Sequence, residues 1–315
     1  MAKLRISVVV STCNRSGDLP RLFDALARQT LSGPMAWELV LVDNRSTDDT
    51  AEVIRELAGR STFPVTSLFE GRPGKSHGLN TGVKVAHGDI IAFTDDDGVP
   101  ASDWLECILA HFDAHADAVC IGGRVELFDP EDAPITIRTS REPRTIDTAT
   151  FDPTFIPVIG CNLAIRKQAL EQTGPFDVTV GPGAKAGTAE DVDLLYRIVS
   201  SGYHIHYDPQ ILVLHRHGRR SADQLARVRK SYLIGRGAFY CKHVLSGDRT
   251  VARWAYREVR RLARRALRAG LVTRSARQKW SALSLLARGA VRYLRYREPD
   301  SSARGRTDPP GKKPK

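Results

Sequence analysis

The chain has 315 residues, 42% of them apolar, and a formal net charge of +11. That length suits one large α/β domain with room for a helical appendage. No apolar run approaches the roughly 18–20 residues that span a bilayer. The apolar stretch behind Lys3 and Arg5 is too short for a secretory leader, so folding from the first strand in the cytoplasm is expected. Five scattered cysteines (Cys13, Cys107, Cys120, Cys161 and Cys241) contain no C-x-x-C pair, which argues against a zinc ribbon or a disulfide framework. The charge is uneven. From Ser221 to Lys315, 25 Lys and Arg stand against 6 Asp and Glu, which leaves −8 on the first 220 positions. The two parts are expected to face different partners.

In chain order, Ile6–Ser11, Glu38–Val42, Val65–Phe69 and Ile90–Thr94 are short β-branched apolar runs without alternation. Strands buried on both faces of a parallel sheet read this way. Helical patterns over Leu19–Gln29, Thr47–Ala58 and Ser76–Ala86 lie between them, and this rhythm predicts βαβ crossovers in a doubly wound, mostly parallel sheet. Beyond Asp97 the pattern predicts a helix over Trp104–Phe112 and a strand over Ala118–Val125. An irregular stretch, Glu126–Phe155, separates that strand from another over Ile159–Ile165. A Gly-rich segment, Gly181–Gly187, precedes a helix over Ala189–Ser200, and strands over Ile205–Tyr207 and Ile211–Leu214 follow. The remainder is helical and Arg-rich, ending in a polar basic tail expected to be disordered.

Ligands of open α/β sheets bind beyond the carboxyl ends of the strands. Asp95-Asp96-Asp97 follows one such strand, and carboxylates two residues apart can jointly hold Mg²⁺ or Mn²⁺, hard ions that take oxygen ligands. The plain alternative is a solvated acidic turn. The segment Gly71–Ser76 is not a phosphate loop, because the position six before Lys75 is Phe69. Gly71 and Gly74 can still offer backbone N–H groups to a nucleotide, with Lys75 as a point charge, or form an ordinary turn. Glu190, Asp191 and Asp193 open a helix, where a carboxylate stays ionised as a base must be, or simply caps. His215 follows the last strand and can complete a metal site or lie on the surface.

Seven segments, in this order, resemble family 2 of the inverting glycosyltransferases: Val8–Arg15, Leu41–Thr50, Gly74–Gly82, Ala92–Pro100, Gly160–Arg166, Gly174–Asp177 and Glu190–Arg197. The resemblance runs from about residue 5 to about residue 217. It implies a GT-A fold over 1–220, with a nucleotide-binding half at about 1–100 and an acceptor half at about 101–220. A basic amphipathic helical region over 221–298 and a tail over 299–315 follow. By position it implies that Asp43, Thr12 and Arg15 bind the nucleotide, with Arg72, Lys75 and Asn80 on the same wall. Asp95 and Asp96 would contact the donor, and Asp97, with Asp95 and His215, would hold the Mn²⁺ or Mg²⁺. Asp191 would be the catalytic base, with Glu190 beside it. Where the family usually has Pro-Thr-Tyr-Asn, this chain has Ser11-Thr12-Cys13-Asn14, which removes the stacking aromatic. Either Asp96 or Asp97 fits the ligand register.

The resemblance therefore implies transfer of a sugar from a nucleotide-sugar, UDP-linked in the first expectation, to a glycan or lipid-linked acceptor in envelope polysaccharide or glycolipid synthesis. In the basic region, Trp254, Val259, Leu262, Ala266, Trp280, Leu283, Leu286, Val291, Tyr293 and Leu294 recur at helical spacing among arginines. Such helices either lie on an anionic membrane, making the protein peripheral at the inner face of the plasma membrane, or pack on the domain. Nucleic-acid binding has no accompanying module. A sugar-nucleotide pyrophosphorylase is the alternative enzyme, but its Gly- and basic-rich loop after the first strand is absent. A non-catalytic binding protein is the third reading.

Overall fold

The computed structural model of the protein describes residues 4–31, 36–268 and 274–297. The expected disordered tail lies outside the described residues, as does the side chain of Trp280. The first half runs β1 (Leu4–Thr12), α1 (Leu19–Ala27), β2 (Ala36–Asp43), α2 (Thr50–Gly59), β3 (Val65–Phe69), α3 (Lys75–Val85) and β4 (Ile90–Phe93). Its strands lie in the order β3-β2-β1-β4, all parallel. Both faces are covered, as the uninterrupted apolar runs require. Val9, Val40, Val42 and Ile91 enter one core cluster, and Val8, Val10, Leu39 and Leu41 enter the other. Successive strand residues alternate between the clusters, so β1 and β2 have no polar face to give to water.

The second half comprises β5 (Gly98–Pro100), α4 (Trp104–Ala114), β6 (Cys120–Leu127), β7 (Arg144–Ile146), β8 (Leu163–Arg166), α5 (Lys167–Thr173), α6 (Glu190–Ser200) and β9 (Ile205–His215). The sheet is mixed here. β8 enters antiparallel between β4 and β6, while β9 runs parallel to β6 and antiparallel to β5 and β7. Two expectations change. The strands expected at Ile205–Tyr207 and Ile211–Leu214 are one strand, whose register slips opposite Gly123 and Arg124 next to Pro209. Proline lacks the N–H that the ladder needs, so the strand bulges there instead of ending. The strand expected from Ile159 begins only at Leu163, because Asn162 N–H closes a turn onto Ile159 O at 3.0 Å. The buried Asn162 amide accepts from Trp104 Nε1 and donates to Arg124 O and Ile211 O, each at 2.9 Å, so it locks three elements together.

The Arg-rich remainder forms α7 (Ala222–Leu245), α8 (Arg249–Arg268) and α9 (Arg274–Tyr296). Ser221 and Gln224 form a reciprocal capping box that starts α7. α7 and α9 cross in close contact. A Cβ on Gly289 would meet Ile234 O at 1.9 Å, and one on Gly237 would meet Leu286 O at 2.0 Å. These helices share the core of the sheet domain: Ala238, Phe239, Val251, Leu286 and Tyr293 join the cluster beneath α6. The apolar residues expected to form one face divide in two. Trp254 and Leu262 pack against the core and Ala266 is buried, whereas Val259, Val291 and Leu294 are exposed. Among the described residues, no helix is long and apolar enough to cross a membrane.

Asp193 ties α6 to α7. It is buried, and its carboxylate meets Arg197 Nε at 3.0 Å, Lys242 Nζ at 2.8 Å and His243 Nε2 at 2.9 Å. Burial opposes its charge, but Arg197, Lys242 and the hydrogen bond with His243 overcome burial and hold its pKa far below the usual carboxylate range. Removing one partner of a buried charge network leaves the others uncompensated. Asp193→Ala is therefore expected to lose about 3–5 kcal/mol of stability in urea unfolding; a loss under about 1 kcal/mol would contradict this role.

Candidate functional site

A cavity of about 690 Å³ opens at the carboxyl ends of β1, β2 and β4, roofed by the start of α6 and by α7. The acidic triplet lies on its floor, where β4 ends and the short β5 begins. β5 pairs antiparallel with the end of β9, with Gly98 opposite His215. This register carries the last residue of a strand more than one hundred positions away to the triplet. His215 Nε2 stands 3.2 Å from Asp97 Oδ1, and both side chains are buried. Asp95, Asp97 and His215 each offer a ligand atom within 4.8 Å of the others. Asp96 instead approaches Arg15, whose Nε lies 3.7 Å from its Oδ1. Arg15 Nη2 is 3.6 Å from Asp97 Oδ2, and Lys75 Nζ pairs with Asp95.

Asp96 and Asp97 titrate in opposite directions because their surroundings differ. Burial, then the charge of Asp97, raises Asp96 to about 7. Burial also opposes the charge on Asp97, but the hydrogen bond and charge of His215, with Arg15 and Lys75, win and lower it to about 2. His215 is raised: burial works against it, and Asp97 and Asp95 overcome burial. Lys75, part-buried, is likewise held charged: burial works against it, and its ion pair with Asp95 overcomes burial. An ionised Asp97 beside an imidazole is the donor chemistry of a divalent-cation site, so the residues present fit Mn²⁺ or Mg²⁺.

The opposite wall carries Glu190 and Asp191 in the first turn of α6. Asp191 accepts from Val192 N–H at 2.8 Å and Gly160 N–H at 3.3 Å, which orients its carboxylate. Glu190 is buried, and burial followed by Asp191 raises it to about 8, so it is neutral at pH 7. Its Oε2 has no hydrogen-bond partner among the described residues.

Thr12, Arg15, Lys75, Asp95, Asp96, Asp97, Glu190, Asp191 and His215 thus meet at one cavity. Three other expected residues do not line it, and each has its side chain bonded elsewhere. Asp43 Oδ1 accepts from Ser46 N–H at 2.9 Å, closing the turn after β2. Arg72 is drawn to Glu70, with guanidinium contacts of 2.9 and 2.8 Å. Asn80 brackets Phe176, donating to its carbonyl at 2.8 Å and accepting from its N–H at 2.9 Å. Of the two backbone N–H groups expected to serve a phosphate, that of Gly74 is committed, donating to Asn44 Oδ1 at 2.9 Å.

Other lining residues escaped sequence reasoning. Thr136 sits at φ 54°, an uncommon conformation for a β-branched residue, and its carbonyl oxygen lies 3.3 Å from His215 Nδ1. An N–H···O bond there directs Nε2 toward Asp97. Arg138 and Tyr232 also face the cavity. Thr136 and Arg138 belong to the irregular stretch and Tyr232 to a polar face of α7, so no local signal marks them. Asn44 lines the cavity as well and pins the loop before α3, donating to Arg72 O at 2.7 Å.

Residues 7–174 match the family model described as glycosyl transferase family 2, more than half of the chain. A pre-mycofactocin glycosyltransferase of Mycobacterium tuberculosis is 30% identical over 160 residues, which is 49% of this chain and 32% of that protein. An uncharacterized glycosyltransferase of a Nostoc species is 28% identical over 185 residues, 55% of this chain and 54% of its own length. The chain therefore spans about half or less of these curated relatives. Among solved structures, a mannosyltransferase from Pyrobaculum calidifontis in complex with GDP-Man and Mn²⁺ aligns with TM-score 0.59 at 21% identity, covering 93% of this chain and 88% of that one. S. aureus TarS 1–349 in complex with UDP-GlcNAc aligns with TM-score 0.60 at 17% identity, covering 91% and 82%. These likenesses show a common fold. The matched span, which runs from β1 past the acidic triplet to the end of α5, places the chain in glycosyl transferase family 2.

Proposed function

We propose that the protein is an inverting glycosyltransferase that moves a sugar from a nucleotide-sugar to an acceptor hydroxyl of a glycan or glycolipid. The observation that carries the reading is the pairing of Asp95, Asp97 and His215 on one wall with Asp191 on the other, across a single cavity. UDP-sugars are the first donors to test.

Asp95, Asp97 and His215 would hold Mn²⁺ or Mg²⁺, which when bound supplies positive charge to offset that of the departing diphosphate. Lys75 and Arg15 add fixed positive charge on the same side, which their partial burial strengthens. On the other wall, Asp191 accepts the proton of the attacking hydroxyl as the new bond to the anomeric carbon forms and the bond to the diphosphate oxygen breaks. One displacement inverts the configuration. The diphosphate leaves as an anion and needs no general acid. Glu190 is neutral and its Oε2 has no hydrogen-bond partner among the described residues, so it is suited to donate a hydrogen bond to a sugar or acceptor oxygen in the cavity.

Two expectations follow. Asp191→Asn keeps the size and hydrogen-bonding of the side chain but not its basicity. It is expected to lower kcat for transfer by about 10²–10⁴ with donor KM little changed; full transfer activity in this variant would remove Asp191 as the base. Glu190 holds its proton in the folded state up to about pH 8, against an ordinary value of 4.5. Between those values the folded chain binds more protons than the unfolded one, so this group's contribution to stability falls as pH rises. Glu190→Gln removes that loss. In EDTA, its Tm relative to wild type is expected to rise from pH 5.5 to pH 8.5, and a pH-independent difference would show that Glu190 is ionised throughout.

A further inference from the structure

We propose that His111, His115 and His206 form a second metal site, for a borderline ion such as Zn²⁺, which clamps the end of α4 to the start of β9. His111 lies in the last turn of α4 and His115 caps it. His115 N–H still donates to His111 O at 3.0 Å, so the two rings stand one turn apart on the same side of the helix. His206 is the second residue of β9. One ring nitrogen of each lies within 4.8 Å of the others, and their centroids are 4.5, 5.2 and 5.6 Å apart.

The closest pair, His111 Nε2 and His206 Nδ1, is 2.9 Å apart. A tetrahedral ion with bonds of about 2.0–2.1 Å holds its nitrogens about 3.3 Å apart, so a shift of a few tenths of an ångström admits it. His111 is already oriented for this. Its Nδ1 lies 3.2 Å from Asp208 Oδ2, and the other oxygen of Asp208 accepts from Gln210 N–H at 2.9 Å. A carboxylate that accepts a hydrogen bond from Nδ1–H leaves the Nε2 lone pair facing the other two imidazoles, as in carboxylate–histidine–metal arrangements.

The ligand set also selects the ion. Three imidazoles without a carboxylate suit Zn²⁺, Ni²⁺ or Cu²⁺ and are poor for Mg²⁺ and Mn²⁺, the reverse of Asp95, Asp97 and His215. His115 is exposed, which leaves a way in for the ion and a fourth position for water. The two sites lie at opposite ends of β9, nine residues and on the order of 30 Å apart in an extended strand. The ion at the histidine site therefore acts on the fold, not on the transfer chemistry. It cross-links α4, whose first residue bonds to Asn162, to the strand that delivers His215.

The test uses the full chain stripped of metal, carrying Asp97→Ala to disable the strand-end site, with Co²⁺ and Zn²⁺ as probes. One equivalent of Co²⁺ with the intense visible bands of four-coordinate nitrogen ligation is expected, and Zn²⁺ should displace it and raise Tm. His115→Ala in the same background, an exposed substitution that leaves the metal-free Tm unchanged, is expected to weaken binding at least tenfold and abolish the Tm increase. Asp208→Asn is expected to weaken it about 10–100-fold. In the otherwise wild-type chain, His115→Ala should remove only this one equivalent. An Asp97→Ala chain that binds neither ion would overturn the proposal, as would equal Co²⁺ affinity and spectrum in His115→Ala. Either result would leave the transferase reading standing, because no arm of the test measures transfer.

Discussion

The contact between His215 and Asp97 joins the two halves of the molecule. Asp97 lies in the turn between β4 of the first half and the short β5, and His215 ends the long strand of the second. The short antiparallel pairing of β5 with β9, extended by Arg216 N–H donating to Asp97 O at 2.9 Å, sets them 3.2 Å apart. A one-residue slip in that register would turn His215 to the other face of the sheet. Several other features serve this alignment. Pro209 places a bulge in β9 upstream of it, Asn162 ties β9 to α4 and to the strand beside it, and the Thr136 carbonyl sets the ring.

The cavity gathers five carboxyl groups into a partly enclosed space. Like charges so confined cannot all ionise at neutral pH without compensation. Lys75 against Asp95, Arg15 between Asp96 and Asp97, and a protonated Glu190 supply that compensation. Burial decides which groups give way: Asp96 and Glu190 are pushed up while Asp97, facing His215, is pulled down. The result is a site with one strongly acidic ligand group on one wall and a proton-bearing carboxyl on the other. That polarity agrees with a cation and a diphosphate on the β4 side and an acceptor on the α6 side, as proposed above.

Much of this was legible in the sequence, and what was not has a physical reason. Continuous β-branched runs announced a sheet covered on both faces, and the triplet at a strand end, Lys75, and Glu190-Asp191 announced the cavity. The choice between Asp96 and Asp97 was not legible, because it depends on which carboxylate faces β9 and so on a pairing of distant segments. Thr136 and Arg138 were hidden in a stretch without periodicity, whose path is set by the groups it meets. Asp43, Arg72 and Asn80 do not line the cavity: Ser46, Glu70 and Phe176 hold their side chains, and two of those partners lie within three residues. Asp193 looked like Glu190 and Asp191 in the sequence, yet it turns to Lys242 and His243 and serves the fold. The histidine cluster has the same character, being two residues on one helix turn and a third from a strand 91 positions on.

The central claim is that the Asp95, Asp97 and His215 wall binds a nucleoside diphosphate through a divalent cation. Titration calorimetry of UDP, GDP and dTDP in Mn²⁺ and in EDTA, with wild type and Asp97→Ala, tests it most directly. At least one nucleotide should bind the wild type in Mn²⁺, and its affinity should fall at least about tenfold on chelation and equally in Asp97→Ala. Binding that is indifferent both to chelation and to Asp97 would contradict the account, as would no binding by any of the three.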